Sequence, residues 1–145
     1  MTLEKILNER IADFALMYIK LHRFHWFVQG PHFNTFHKMY EDLYDETTGY
    51  LDDFAERLLA IGGTPVATLK GFLALSTLEE EGDEVTPSQI GETLLKDFAH
   101  ITKKLHDGIQ VAETANDPAT VDMFTVTISE LEKHMWFIKQ TLKQG

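Results

Sequence analysis

The sequence predicts an all-α protein, a bundle of four long helices with a short extra helix in the connection between helices two and three. Apolar residues recur at three- and four-residue spacing along most of the 145 residues, which is the period of an amphipathic helix. Gly and Pro punctuate this pattern, and no segment alternates like a strand over a useful length. The length suits one domain, which we expect to span residues 1–145.

The first two helices are delimited by glycine and proline. Helix one is expected over residues 3–28, because the Gly-Pro pair at 30–31 stops it. Helix two is expected to begin near Asn34 or Thr35, since either residue is a suitable N-cap. Its apolar stripe ends at the Gly-Gly pair 62–63, a strong C-terminal signal.

The second half of the chain contains the remaining helices. Residues 66–75 can form the short helix, and the acidic loop EEEGDE follows at 79–84. The sequence TPSQ at 86–89 has the form of a capping box with proline at the first helical position. Helix three is therefore expected from there to about Ala115, and helix four from its cap Asp117 to the end of the chain.

Composition narrows the classes of function. The net charge is −10 and the pI is about 5.0, which disfavours nonspecific attraction to nucleic acid or anionic membrane and favours cations. The absence of cysteine excludes disulfides, thiolate metal sites and a thiol nucleophile. The N-terminus does not resemble a secretory signal, and no apolar run approaches the ~18 residues of a membrane span. We expect a soluble, cytoplasmic protein.

Two pairs of metal-ligating residue types lie on the predicted second helix. His37 and Glu41 are four residues apart, as are Asp52 and Glu56, and all four fall within an arc of ~100°. Glu41 and Asp52 are nevertheless eleven residues apart, about 16 Å of helical rise at ~1.5 Å per residue. One ion cannot be bound by both pairs of the same chain. Three options remain: half-sites with other partners, no site, or a site shared between two chains in a two-fold dimer.

His25 strengthens the early pair. It lies near the end of helix one, and the short turn FVQGPHFNT folds helix two back beside it. Together, His25, His37 and Glu41 supply two imidazoles and one carboxylate, a set suited to ferrous iron with open positions, although zinc can also bind. A paired Glu-x-x-His motif is absent, so a di-iron core within one subunit is not expected.

At this point the sequence resembles a known family. The stretch LHRFHWFVQGPHFNTFHKMYEDLYDETTGYLDDFAERLLAIGGTPVATLK at 21–70 is similar to the Dps mini-ferritins (DNA-binding proteins from starved cells). The HW pair, the GPHF-to-H turn, the D-x-x-x-E pair and the AERLLAIGG ending match in order and spacing. The ending LEKHMWFIKQTL resembles the family's last helix, so the resemblance covers nearly the whole chain.

The resemblance implies a ferritin-like subunit that assembles into a hollow homo-dodecamer with ferroxidase sites at its two-fold interfaces. It further implies oxidation of Fe(II), preferentially by hydrogen peroxide, and storage of the ferric mineral, which suppresses Fenton damage to DNA. The matching positions combine one subunit's His25, His37 and Glu41 with Asp52 and Glu56 of its mate.

Three further residues match family positions less firmly. Trp26 adjoins a ligand and is a candidate electron donor, although packing is the role we expect to dominate. Asp117 and Asp122 lie where the family lines its three-fold pores with acids, which would focus cations. Asp117 is also expected to cap a helix, so its pore role is the weaker of the two.

The DNA-binding activity in the family's name is not expected here. Binding of that kind depends on lysine-rich tails that neutralise phosphates, and the first ten residues contain only Lys5 and Arg10 against Glu4 and Glu9. A nucleoid-compacting Dps is one alternative, with a nucleoid-associated location. A non-enzymatic acidic helical protein that binds a protein partner is the other.

Overall fold

The computed structural model describes residues 1–143, and within them every regular element is a helix, with no strand. This confirms the all-α prediction. The five helices in this part of the chain are α1 (Leu3–Phe27), α2 (Phe33–Ala60), α3 (Leu69–Leu75), α4 (Pro87–Thr114) and α5 (Pro118–Thr141). None of them combines the length and apolar character that crossing a bilayer requires.

The chain divides into two compact units. One unit spans residues 4–90 and contains α1, α2, α3 and the start of α4. The other contains residues 1–3 and the chain from Gly91 onward, with most of α4 and all of α5. The expectation of a single domain over 1–145 stays a prediction.

In the unit 4–90, the apolar stripes of α1 and α2 form an aromatic core. The Phe14 ring lies 5.1 Å from that of Phe54 in an edge-to-face arrangement and 5.2 Å from that of Tyr50. Edge-to-face pairs stabilise a core beyond the area they bury. The other large side chains buried on the two helices include Leu7, Ile11, Met17, Leu21, Phe24, Phe36, Tyr40 and Leu58.

The turn between α1 and α2 is closed by backbone groups. Gly30 has a φ of +133°, a conformation that glycine adopts without steric cost. Its carbonyl accepts a hydrogen bond from the Phe33 N–H at 3.1 Å, and the neighbouring Gln29 N–H donates to the Val85 carbonyl at 2.7 Å. The predicted stop of α1 near residue 28 is thus confirmed, with the helix ending at Phe27.

The predicted N-cap of α2 is wrong. The helix begins at Phe33, before both Asn34 and Thr35, and the cap residue is His32, whose side chain makes no capping hydrogen bond. The physical reason is the tight turn, which makes the first helical N–H groups bond to the carbonyls of Gly30 and His32. The predicted end is confirmed: α2 stops at Ala60, and Gly62 follows with a φ of +94°.

The short helix α3 is attached to α1 through a buried carboxylate. Asp13 accepts hydrogen bonds from the Ser76 hydroxyl at 2.8 Å and from the Thr77 N–H at 2.6 Å. Arg10, also buried, forms an ion pair with Asp13 at 3.0 Å. Within the predicted range 66–75, α3 begins only at Leu69, because the Thr68 side chain caps it by accepting from the Gly71 N–H.

The predicted starts of α4 and α5 are confirmed. Thr86 and Gln89 form the reciprocal capping box, with Thr86 Oγ1 accepting from the Gln89 N–H at 3.1 Å and Gln89 Oε1 accepting from the Thr86 N–H at 3.2 Å. Asp117 caps α5 by accepting from the Thr120 N–H at 3.0 Å. The sequence predicts α5 to the chain end, whereas the helix ends at Thr141, and residues 144–145 lie outside the described residues.

Candidate metal centre

Two histidine rings meet where α1 ends and α2 begins. His25 lies in the last turn of α1 and is buried, and His37 lies in the second turn of α2. Their imidazoles are stacked, with centroids 3.6 Å apart and planes 14° from parallel. The turn through Gly30 therefore brings together two residues that are twelve positions apart in the sequence, as the sequence predicts.

Each histidine is oriented by the backbone of the other. His25 Nδ1 lies 2.7 Å from the His37 carbonyl oxygen, and His37 Nδ1 lies 2.7 Å from the His25 carbonyl oxygen. Because a carbonyl only accepts, both Nδ1 atoms carry hydrogen and donate. The neutral imidazole then has its lone pair on Nε2. A hydrogen bond that fixes the Nδ1 proton in this way is the usual support for a metal ligand, and it leaves both Nε2 atoms available to coordinate an ion.

Glu41, the third residue of this early set, is held by a lysine. Its Oε2 accepts from Lys38 Nζ at 2.9 Å, and the same Nζ pairs with Asp42 at 3.0 Å. The hydrogen bond and charge of Lys38 lower the pKa of the Glu41 carboxyl. The carboxylate is thus kept ionised, but it is directed to an ammonium group that a metal ion would have to displace.

The late set lies farther along α2. Asp52, Asp53 and Glu56 each offer an oxygen within 4.8 Å of the others, and all three are exposed. Among residues 1–143, this is the only group of three potential metal ligands gathered so tightly. Sequence reasoning identified Asp52 and Glu56 and missed Asp53, whose signal was its three-residue spacing from Glu56.

The two sets remain separate in one chain. No group of potential ligands within the described residues combines members of both, as expected from a helical rise of about 16 Å between Glu41 and Asp52. Acidic side chains at a helix surface are common without any metal. The five-residue site of His25, His37, Glu41, Asp52 and Glu56 therefore stays a prediction.

Aromatic rings surround the histidines. Phe33 stacks on His37 at 4.9 Å, and Tyr44 meets His25 edge-on at 5.4 Å. Trp26 is 65% exposed in the single chain and contacts His22 at 5.6 Å rather than either candidate ligand. Its role as an electron donor stays a prediction.

The candidate pore residues lie in the other unit. Both oxygens of the Asp117 carboxylate accept from Thr120, one from its N–H and one from its hydroxyl. Asp122, one turn later, is exposed. The capping role of Asp117 is thus confirmed, and the pore role of both residues stays a prediction.

Comparison with known proteins gives consistent likenesses over the full length. The sequence model of the Ferritin family, a ferritin-like domain, matches residues 4–145. The chain is 39% identical over 140 residues to DNA protection during starvation protein 2 of Bacillus anthracis, covering 97% of this chain and 96% of that protein. It is also 39% identical to general stress protein 20U of Bacillus subtilis, covering 93% of each.

Solved structures of Dps proteins have the same fold as this chain. Dps from Staphylococcus aureus superimposes with a TM-score of 0.94 at 39% identity, covering 99% of this chain and 96% of that one. Dps from Vibrio cholerae, described as a member of a broad superfamily of ferritin-like diiron-carboxylate proteins, superimposes with a TM-score of 0.93 at 26% identity, covering 97% and 89%. The predicted ferritin-like fold class is thereby confirmed.

Proposed function

Because this chain belongs to the Dps family of ferritin-like proteins, we propose that it is a ferroxidase. It oxidises Fe(II), preferentially with hydrogen peroxide, and stores the ferric product as mineral inside a homo-dodecamer in the cytoplasm. The observation that carries this proposal is the stacked pair His25 and His37, each with its Nδ1 bonded to the other's backbone. The family supplies the class of reaction, and this pair supplies coordinating atoms.

The donor set fits iron as the substrate. Two imidazole Nε2 atoms with carboxylate oxygens form a mixed nitrogen and oxygen set of the kind that non-haem ferrous sites use with open positions. The chain offers no thiolate. The description of the Vibrio cholerae relative as a ferritin-like diiron-carboxylate protein supports the same metal, and zinc is the competitor that such a set also accepts.

The reaction removes two hazardous reagents together. Two ferrous ions each give up one electron, and one hydrogen peroxide accepts both as its oxygen–oxygen bond breaks. With two waters, the products are two ferric oxyhydroxide units and four protons. No hydroxyl radical forms in this two-electron reaction, which accounts for protection of DNA of the kind named for the Bacillus anthracis relative.

The site requires two chains in this proposal. His25, His37 and Glu41 of one subunit coordinate together with Asp52 and Glu56 of another across a two-fold axis. The axis generates two equivalent sites in each pair. Support comes from the gap of about 16 Å between Glu41 and Asp52 along one helix, which leaves each half without the other's ligands.

Direct DNA binding is not part of the proposal. A charge of −10 per chain repels the phosphate backbone, whose neutralisation supplies most nonspecific affinity. We expect no mobility shift of duplex DNA at moderate salt. A tight salt-sensitive complex would instead favour the nucleoid-compacting alternative.

Mixed assemblies test the shared site. One subunit type carries His25→Ala with His37→Ala, the other carries Asp52→Ala with Glu56→Ala, and two affinity tags isolate assemblies that contain both. Each variant alone should fail to oxidise Fe(II) with peroxide. Random mixing should restore roughly a quarter of the wild-type sites, because a site is intact when it combines the unmodified half of each type.

The outcomes separate the parts of the proposal. If mixing restores nothing while both variants assemble, the shared site is wrong and the ligands belong to one chain. If wild-type protein does not accelerate peroxide-driven iron oxidation, the ferroxidase function itself is wrong. Light scattering on the same preparations should give the mass of twelve chains.

A further inference from the structure

Tyr44 occupies a position between a candidate iron ligand and a second histidine. Its ring stacks on that of His22, with centroids 3.7 Å apart and planes 17° from parallel. The same ring meets His25 edge-on, with centroids 5.4 Å apart and an interplanar angle of 89°. Tyr44 lies on α2 one turn beyond Glu41 and is half-buried, so its phenol is close to the early half-site without being one of its ligands.

The contacts continue away from the site. The His22 ring lies 5.6 Å from Trp26 and 4.4 Å from Tyr18. Its orientation is set by Nδ1, which lies 2.7 Å from the Tyr18 carbonyl. Contiguous rings thus run from His25 through Tyr44 and His22 to Trp26. The first ring after the candidate ligand His25 is the phenol of Tyr44.

We propose that Tyr44 is the one-electron donor of this site, and that it protects the protein when peroxide meets a single ferrous ion. This inference rests on the proposed ferroxidase function. One ferrous ion supplies one electron, so peroxide then yields a ferric ion, hydroxide and a hydroxyl radical. The Tyr44 O–H bond gives its hydrogen atom to that radical, and the products are water and a neutral tyrosyl radical.

The other tyrosines are less suited to this role. Tyr40 and Tyr50 are buried in the core, and the Tyr50 hydroxyl donates to Glu46 at 2.7 Å. Tyr18 is one ring farther from His25, with its centroid 6.2 Å from that of Tyr44. Tyr44 is therefore the phenol in ring contact with a candidate ligand, and a substitution can remove its hydrogen without removing its ring.

The test is rapid freeze-quench electron paramagnetic resonance on the assembled protein, mixed with peroxide and less Fe(II) than is needed to fill its sites. Wild type should show a neutral tyrosyl signal, and Tyr44→Phe should lose it. A spin trap in parallel samples should report more hydroxyl radical for Tyr44→Phe. Because phenylalanine preserves the ring against His22 and His25, a purely packing role for Tyr44 predicts no change in either measurement.

Tyr40→Phe is the matched control, since it removes a phenol from the same helix at a core position, and it should retain the signal. As a second measurement without loss of the side chain, fluorotyrosine at position 44 should change the hyperfine splitting of the radical. A tyrosyl signal that persists in Tyr44→Phe, or that fluorotyrosine leaves unchanged, overturns the inference. The same is true of wild type that oxidises iron without a tyrosyl signal, whereas wild type that oxidises no iron overturns the ferroxidase proposal.

Discussion

The two halves of the proposed site are built in opposite ways. The early half, His25 with His37, lies at a turn, where stacked rings and reciprocal hydrogen bonds to backbone carbonyls fix each side chain. The late half, Asp52, Asp53 and Glu56, lies on the exposed surface of a continuous helix. The histidines of the early half are oriented by the protein itself, and the late half is an exposed concentration of negative charge.

This difference indicates a division of labour. In the proposed site, the fixed imidazole Nε2 atoms would give selectivity, because their geometry is set by the protein and not by the ion. The exposed carboxylates of the late half would attract ferrous ions by their negative charge. Variants of the early half should therefore alter metal affinity and fold together, whereas variants of the late half should alter the reaction with little effect on the fold.

The largest effect should come from His25→Ala with His37→Ala. Loss of an outer group that orients a ligand typically costs 10–100-fold, so loss of both nitrogen ligands should lower the rate of peroxide-driven iron oxidation by at least ~100-fold. The variant should also unfold at lower temperature, since it loses the two hydrogen bonds that the His25 and His37 imidazoles form between α1 and α2.

Stopped-flow absorbance of the ferric product measures the rate, and His106→Ala, an exposed histidine on α4, is the control. A double variant with the wild-type rate would refute the early half-site. Its thermal unfolding, followed by circular dichroism, shows separately how much the histidine pair stabilises the turn.

The early half shows which features of the site can be predicted from the sequence and which depend on the tertiary structure. Residue types and helical spacing are enough to name His25, His37 and Glu41 as candidates, and the confirmed capping patterns at Thr86 and Asp117 are equally local. The reciprocal bonds of the histidines are not predictable in this way, because their acceptors are backbone carbonyls whose directions depend on the tertiary turn. The same turn replaced the side-chain cap expected for α2 with backbone hydrogen bonds.

The late half should lose activity without losing stability. Asp52→Asn and Glu56→Gln should each slow iron oxidation by about 10-fold or more, since a bound ion loses an anionic ligand. The stability of the subunit should stay within about 0.5 kcal/mol of wild type, because these side chains are exposed in the single chain.

Asp53→Asn is the matched control within the same cluster. A carboxylate oxygen of Asp53 lies within 4.8 Å of those of Asp52 and Glu56, but Asp53 is the next residue along the helix after Asp52. We expect it to slow the reaction less than Asp52→Asn. The reverse order, measured by the same stopped-flow assay, would show that Asp53 and not Asp52 is the aspartate ligand.

Replacing a glycine with alanine should have opposite effects on stability near the early and the late half of the site. Gly30 has a φ of +133° in the turn that aligns the histidines, so Gly30→Ala should destabilise the protein by about 1–2 kcal/mol. Gly49 lies within α2 near the late half, where an added Cβ meets no atom within 4 Å. Gly49→Ala should therefore stabilise the chain by up to about 1 kcal/mol.

Denaturant unfolding of both glycine variants measures the two changes under identical conditions. If Gly30→Ala is as stable as wild type, the early half does not depend on this turn conformation. A destabilised Gly49→Ala would show that the partner chain of the proposed two-fold pair approaches the α2 backbone at this position.

The smallest effect should come from Lys38→Met, which removes the positive charge beside Glu41 and Asp42. Lys38 Nζ holds the Glu41 carboxylate at 2.9 Å and is itself exposed, so its removal should hardly affect folding. A metal ion would then no longer compete with the ammonium group, and Co(II), used as a spectroscopic probe of the metal-free protein, should bind a few-fold more tightly near neutral pH.

Removal of Lys38 should also raise the pKa of the Glu41 carboxyl. Lys38 lowers the pKa of Glu41, which keeps this carboxylate ionised, and stabilising, until the pH falls through that lowered pKa. Without Lys38 the pKa of the Glu41 carboxyl rises towards its usual value, and an NMR titration of this carboxyl in the metal-free protein should record the rise. Lys103→Met, which removes a comparable exposed pair with Asp107 at 3.2 Å, should change neither property. If Lys38→Met behaves like this control, Glu41 is not a ligand of the early half, and the fixed part of the site consists of the two histidines alone.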